Sequence, residues 1–137
     1  MRTFVLTVAI VLTGCSAHPK GGTQPVMAPA GAGDTVTVRL SDFAYDPDHL
    51  RLKAGVPVRL HLVNESGGEH DFHAPAFFAA SSFQPGYSAP SDSDVEVAAK
   101  QSVDIGLIPG KPGTYPVDCT HFLHTLFGME GTVEVVP

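Results

Sequence analysis

Apolar side chains at every second position, in short runs broken by turn residues, constrain this chain most. Val36, Val38 and Leu40 alternate with Thr35, Thr37 and Arg39. Val56, Val58, Leu60 and Leu62 alternate with Pro57, Arg59 and His61, and Val103, Ile105 and Leu107 with Asp104 and Gly106. Shorter versions occur at Leu50/Leu52, at His70 to Ala74, at Val95/Val97, at Tyr115/Val117/Cys119 and at Val133/Val135. A period of two turns one face of a segment to the core and the other to water. Seven or eight such segments, joined by Gly- and Pro-rich turns, predict an all-β fold, an antiparallel sandwich or barrel. At 137 residues the chain has room for one such domain. Residues 76–92, "AFFAASSFQPGYSAPSD", break the pattern; Phe77, Phe78 and Phe83 call for burial, and Ala and Ser allow a helical turn. They are read as an insertion packed on the sandwich.

The amino terminus follows other rules. Met1-Arg2-Thr3 carries one positive side chain, and Phe4 to Leu12 is an apolar stretch too short to span a bilayer but suited to a signal sequence. It ends in Leu12-Thr13-Gly14-Cys15, which resembles a bacterial lipobox, with cleavage before the cysteine and lipidation of Cys15. An ordinary secretory signal and a Cys15–Cys119 disulfide are the alternatives; small residues ahead of a cysteine that closes the apolar run rank lipidation first. Ser16 rather than Asp follows, which by analogy with lipoproteins suggests an outer-membrane address in a two-membrane cell. The expected organisation is a signal peptide at 1–14, a lipidated Cys15 and flexible tether at 15–33, and one domain at 34–137. His18 and Met27 fall in the tether, whose Gly, Pro and Ala show no apolar period. The expected location is the periplasmic or cell-surface face of a membrane. With a formal net charge of −6 and no Lys/Arg cluster, the chain lacks the footprint of nucleic-acid binding.

If Cys15 is the anchor, Cys119 is a lone thiol in an exported protein, where idle thiols are oxidised. Capture as a thiolate by a metal gives it a reason. The stretch "CTHFLHTLFGM" places Cys119, His124 and Met129 with four residues between successive members. Thiolate, imidazole and thioether form a soft set that selects copper over magnesium or calcium. A second imidazole has to come from elsewhere, and His70, opening the segment after a turn, is the best placed. On its own each of these residues has a bland reading, core packing for Met129 and a surface or satisfied histidine for His70; together they favour ligation.

These residues resemble the cupredoxin family, the blue type 1 copper proteins of the azurin, auracyanin and plastocyanin kind. The resemblance spans most of 34–137 and rests on His70-Asp71-Phe72, Gly113-Thr114-Tyr115, Cys119, His124 and Gly128-Met129-Glu130-Gly131-Thr132-Val133. It implies a Greek-key β-sandwich and His70, Cys119, His124 and Met129 as ligands of a copper that cycles between Cu(I) and Cu(II). It also implies one-electron transfer, with His124 near the surface as the electron's exit. Three departures stand out. Asp71 occupies a position that is often Asn, from which it could accept a hydrogen bond from Thr120; its charge would favour Cu(II). His121-Phe122-Leu123 replace a more turn-like stretch. His121 and His73 are extra imidazoles, which leaves a Cys-His-His-His site open as an alternative. Asp71 and His73 are expected to project from the core toward solvent, the rings of Phe72, Phe122 and Phe127 to keep water from the metal, and His49, in a turn, and His61 to have no role. Neither a nucleophile pair nor a general base is evident, so an enzyme is not predicted. The expected partners are redox proteins at the membrane. The rival readings are copper storage, delivery or tolerance, with copper-receiving proteins as partners, and a metal-free binding module on the same fold. The chain is expected to be a monomer.

Overall fold

The computed structural model describes residues 26–27, 33–124 and 126–137. The leader, Cys15, His18 and most of the tether lie outside the described residues.

The strands are β1 (Val26–Met27), β2 (Asp34–Ser41), β3 (Ala44–Asp46), β4 (His49–Lys53), β5 (Val58–Asn64), β6 (His70–His73), β7 (Ser81–Phe83), β8 (Asp94–Val97), β9 (Ser102–Pro109), β10 (Gly113–Asp118) and β11 (Glu130–Val136). They form two sheets, one ordered β1-β4-β11-β10-β6-β8 and the other β3-β2-β5-β9-β7. Eight of the strands are the eight alternating segments of the sequence. The predicted all-β sandwich is therefore the observed fold, with three short additions, β1, β3 and β7. Neighbours pair antiparallel except for β1–β4, β4–β11 and β2–β5, which run parallel. The parallel pairs place the first strands of the domain against strands distant in sequence.

The alternation decides which side chains meet between the sheets. Val36, Val38 and Leu40 of β2, Leu60 and Leu62 of β5 and Leu107 of β9 are buried from one sheet. Leu50 and Leu52 of β4, Val117 of β10 and Val133 and Val135 of β11 are buried from the other. β5 begins at Val58, so Pro57, which has no N–H to donate, lies just outside the ladder. β10 tolerates Pro116 because β6 pairs with it at a single position, Asp118 opposite His73.

The insertion holds a short helix, α1 (Pro75–Ala79), with proline at its start, followed by β7 and a 3₁₀ turn at Ser91–Ser93. Phe77 and Phe78 are buried as expected, and Phe77 meets the ring of Tyr115 at 5.9 Å. Two placements differ from the sequence reading. Val26–Met27, expected within the tether, pair in parallel with Leu50 and Arg51 at the edge of the first sheet. His49, expected in a turn, opens β4, and its Nδ1 lies 2.8 Å from Thr132 Oγ1. Both changes come from backbone pairing with a distant strand, which a local pattern does not encode.

β3 ties the two sheets together near one end. Its Tyr45 is buried, stacks edge-on against Phe72 at 5.9 Å, and donates its hydroxyl to the Asp71 carbonyl at 2.6 Å. Burial, foremost, pushes the Tyr45 phenol well above its ordinary range, so it remains a donor. Tyr45→Phe is expected to cost about 1–2 kcal/mol of stability through that lost bond. Urea denaturation of the metal-free protein checks it.

Candidate metal centre

One end of the sandwich gathers the donor side chains. β10 and β11 form a hairpin whose ladder ends at Asp118 opposite Glu130. Just beyond it, Cys119 N–H donates to the Met129 carbonyl at 3.2 Å. The ten residues from Cys119 to Gly128 turn back through Met129 N–H to His124 O at 3.0 Å, His124 N–H to His121 O at 3.0 Å and Phe127 N–H to Leu123 O at 3.0 Å. Left-handed residues close the turns: Leu123 at φ +66° and Gly128 at φ +92°. His70 arrives from β6, where alternation sends it and Phe72 inward.

The result is a compact cluster. Cys119 Sγ lies 3.2 Å from His124 Nδ1 and 3.9 Å from His70 Nδ1, and the two Nδ1 atoms are 3.2 Å apart. His70, Cys119 and His124 each offer a ligand atom within 4.8 Å of the others, the sole such group among the described residues. Met129 is fully buried and joined to Cys119 through the backbone. His70 and Cys119 are buried, while His124 is half-buried and so is the member that meets the surface. Three lone-pair donors this close, sealed from water on one side, fit a small cation. Sulfur among them makes it a soft one.

Asp71 is where the sequence reading needs correction. Instead of projecting to solvent it is 1% exposed. Its carboxylate accepts from Thr120 N–H at 2.7 Å and from the Thr120 hydroxyl through its other oxygen. The hydrogen bond expected from Thr120 is thus present, and it is doubled. That buried pair ties the residue after Cys119 to the residue after His70, fixing the two metal-facing residues beside them. His73 is half-buried, not solvated, and its Nδ1 is buried without a hydrogen-bond partner.

The remaining residues sort differently from expectation. His121 lies outside the donor group; its Nε2 is 3.2 Å from Glu96 Oε1. Phe122 and Phe127 are exposed, so they do not shield the site as expected, while Phe72 is buried against the rings of Tyr45 and Phe78. The ring against His124 belongs to Phe43, edge-on at 5.3 Å, with Phe127 5.1 Å behind it. Phe43 sits in the β2–β3 turn at φ +62°, a conformation uncommon for a phenylalanine, and no sequence period marks it. His61 pairs with Asp104 at 2.7 Å, away from the donor group.

Electrostatics in the metal-free cluster favour neutral donors. Burial pushes the Cys119 thiol up to about 11, against a smaller pull downward by the backbone N–H groups of Asp71 and His121. Burial, and then His124, hold His70 below its ordinary value. The bound form requires a thiolate, so metal uptake at pH 8 is expected to release one proton from Cys119. Because the group releasing the proton has its pKa near 11, apparent affinity should rise about tenfold per pH unit from pH 8 and level off above that value. Calorimetry of copper binding in buffers of different ionisation enthalpy measures the proton count. In a second prediction, Asp71→Ala unlatches Thr120 and costs about 2–3 kcal/mol in denaturant unfolding.

Comparison with known proteins agrees with this geometry. The family model described as a cupredoxin-like domain matches residues 4–135. No curated protein matches the sequence significantly. Among solved structures, auracyanin B superposes with a TM-score of 0.58 at 27% identity, covering 83% of this chain and 91% of that one. The reduced auracyanin of the photosynthetic bacterium Roseiflexus castenholzii gives 0.59 at 21% identity, over 78% of this chain and 100% of that one. The metal-binding domain of the Streptococcus pneumoniae D39 Cu(I)-exporting P-type ATPase CopA, with Cu(I), gives 0.56 at 15%, over 85% and 100%. The last two, at their low identity, speak for the fold alone. The fold, the family match and the donor chemistry together make copper the cofactor of this chain. Sandwich topology, donor cluster and sequence match converge on one assignment: the chain belongs to the cupredoxin-like domain family.

Proposed function

We propose that this protein is an exported one-electron carrier in which His70, Cys119, His124 and Met129 hold copper, and that Cys15 anchors it to a membrane by lipid. The observation that carries the reading is the convergence of Cys119, His70 and His124 within 4.8 Å at one end of a rigid sandwich. Copper, when bound there, supplies a one-electron couple.

The protein's own residues do the rest. Cys119 and His70 are held by a strand end and a strand start, so their spacing changes little between redox states. The buried Met129 keeps water from the inner side. Half-buried His124 offers the route to the surface. Asp71, buried beside Cys119, adds a negative charge that favours the more oxidised state. The copper-handling reading leans on extra imidazoles, and His121 is engaged with Glu96 instead of joining the donors. The lipobox-like Leu12-Thr13-Gly14-Cys15 supports the anchor.

Loading with Cu(II), Cys119 being reduced beforehand, should produce an intense visible band from the thiolate bond. Cys119→Ser should abolish the band, and His121→Ala should leave it in place. A colourless Cu(II) form, or a band that depends on His121 and not on His124, contradicts the ligand set. Asp71→Asn should raise the reduction potential, measured by redox titration of that band.

A further inference from the structure

The large apolar side chains that the described residues leave exposed lie at one end of the molecule. Phe122 is 86% exposed, Leu126 77%, Phe127 60%, Phe43 42% and Leu123 41%. Phe43 and Phe127 touch, and Phe43 also covers His124, so this apolar rim surrounds the surface edge of the metal centre. From Thr120 to Gly128 the loop carries no Asp, Glu, Lys or Arg. Two of the five residues, Phe43 and Leu123, adopt left-handed backbone conformations to hold their places. Apolar side chains clustered in this way mark a surface that something covers.

The direction of β1 indicates what covers it. β1 runs parallel to β4, with Val26 opposite Leu50, and β4 runs parallel to β11, whose first residue, Glu130, directly follows the loop. Traced backward from Val26, the strand direction therefore points toward the end that carries the rim. Eleven positions separate Cys15 from Val26, a span of at most about 40 Å. A lipid on Cys15 would keep this end of the sandwich close to the bilayer.

We propose that the rim formed by Phe43, Phe122, Leu123, Leu126 and Phe127 rests on the membrane that holds the anchor. This places the His124 edge at the bilayer boundary, where electrons are exchanged with membrane-embedded partners approaching from the side. The inference rests on the lipid-anchor reading of Cys15. The rim is bordered by acidic side chains, Asp42 beside Phe43, Glu130 after Met129, and Glu96 against His121. Neutral, zwitterionic headgroups suit it better than anionic ones.

The chain contains no tryptophan, so Phe122→Trp is a single-site reporter at the most exposed position. The full-length lipoprotein carrying it, copper-free to avoid quenching by the metal, is reconstituted into phosphatidylcholine vesicles with and without brominated acyl chains. The expected result is blue-shifted emission that brominated lipid quenches, with the quenching reduced several-fold by Leu126→Asp. Emission equal to that of a Cys15→Ser version in buffer, without quenching, overturns the docking proposal. So does a blue shift that appears only in native membranes, with neither shift nor quenching in pure brominated lipid, since the occupant is then a protein. Mass spectrometry of Cys15 tests the anchor separately: an unlipidated cysteine defeats that reading, while a lipidated chain with an unquenched reporter defeats only the docking.

Discussion

The β10–β11 hairpin governs the rest of the molecule's chemistry. Its mouth is closed by Cys119 N–H to the Met129 carbonyl at 3.2 Å, so a thiol and a thioether sit at the two ends of one loop. His124 lies between them in sequence and is turned back by its own carbonyl, which accepts from Met129 N–H. Only His70 comes from outside, and Asp71 next to it accepts both Thr120 donors. A buried carboxylate is costly unless its oxygens are hydrogen-bonded, and here the bonds that satisfy it also lock the fourth residue's strand to the loop. Packing, satisfaction of a buried charge and assembly of the donor cluster are thus one interaction viewed from three sides.

Much of this was legible in the sequence because it depends on local period and spacing. The alternation at 36–40, 58–62 and 103–107 marks strands in whatever fold contains them, and the spacing of Cys119, His124 and Met129 matches a hairpin loop. The structure gathers His70 with Cys119 and His124, as spacing and strand order suggested. What was hidden depends on partners remote in sequence. β1, β3 and β7 are two or three residues long and show no period of their own; each exists because a neighbouring strand offers an edge. Asp71 looked like a solvent residue because acids usually are, and it is buried because Thr120 faces it. Phe43 left no pattern at all, since its role arises from a left-handed turn.

Burial is unequal across the cluster. His70, Cys119 and Met129 are enclosed by the sandwich, and His124 alone among the four reaches toward solvent. Phe122 and Phe127, read from the sequence as a water shield, instead face outward together with Phe43, Leu123 and Leu126. The metal end therefore combines a rigid interior with an apolar exterior. That combination suits a centre whose geometry is kept constant while its one surface-facing imidazole is presented to a low-polarity environment.

The central claim is that sulfur from Cys119 and the two imidazoles of His70 and His124 share one copper ion. X-ray absorption at the copper edge on the loaded full-length protein tests it most directly, since the scattering counts near neighbours by element. One short sulfur and two imidazole nitrogens, with the sulfur lost in Cys119→Ser and one imidazole lost in His70→Ala, is the predicted result. A first shell of nitrogen and oxygen alone, or one unchanged by His70→Ala, would contradict the account.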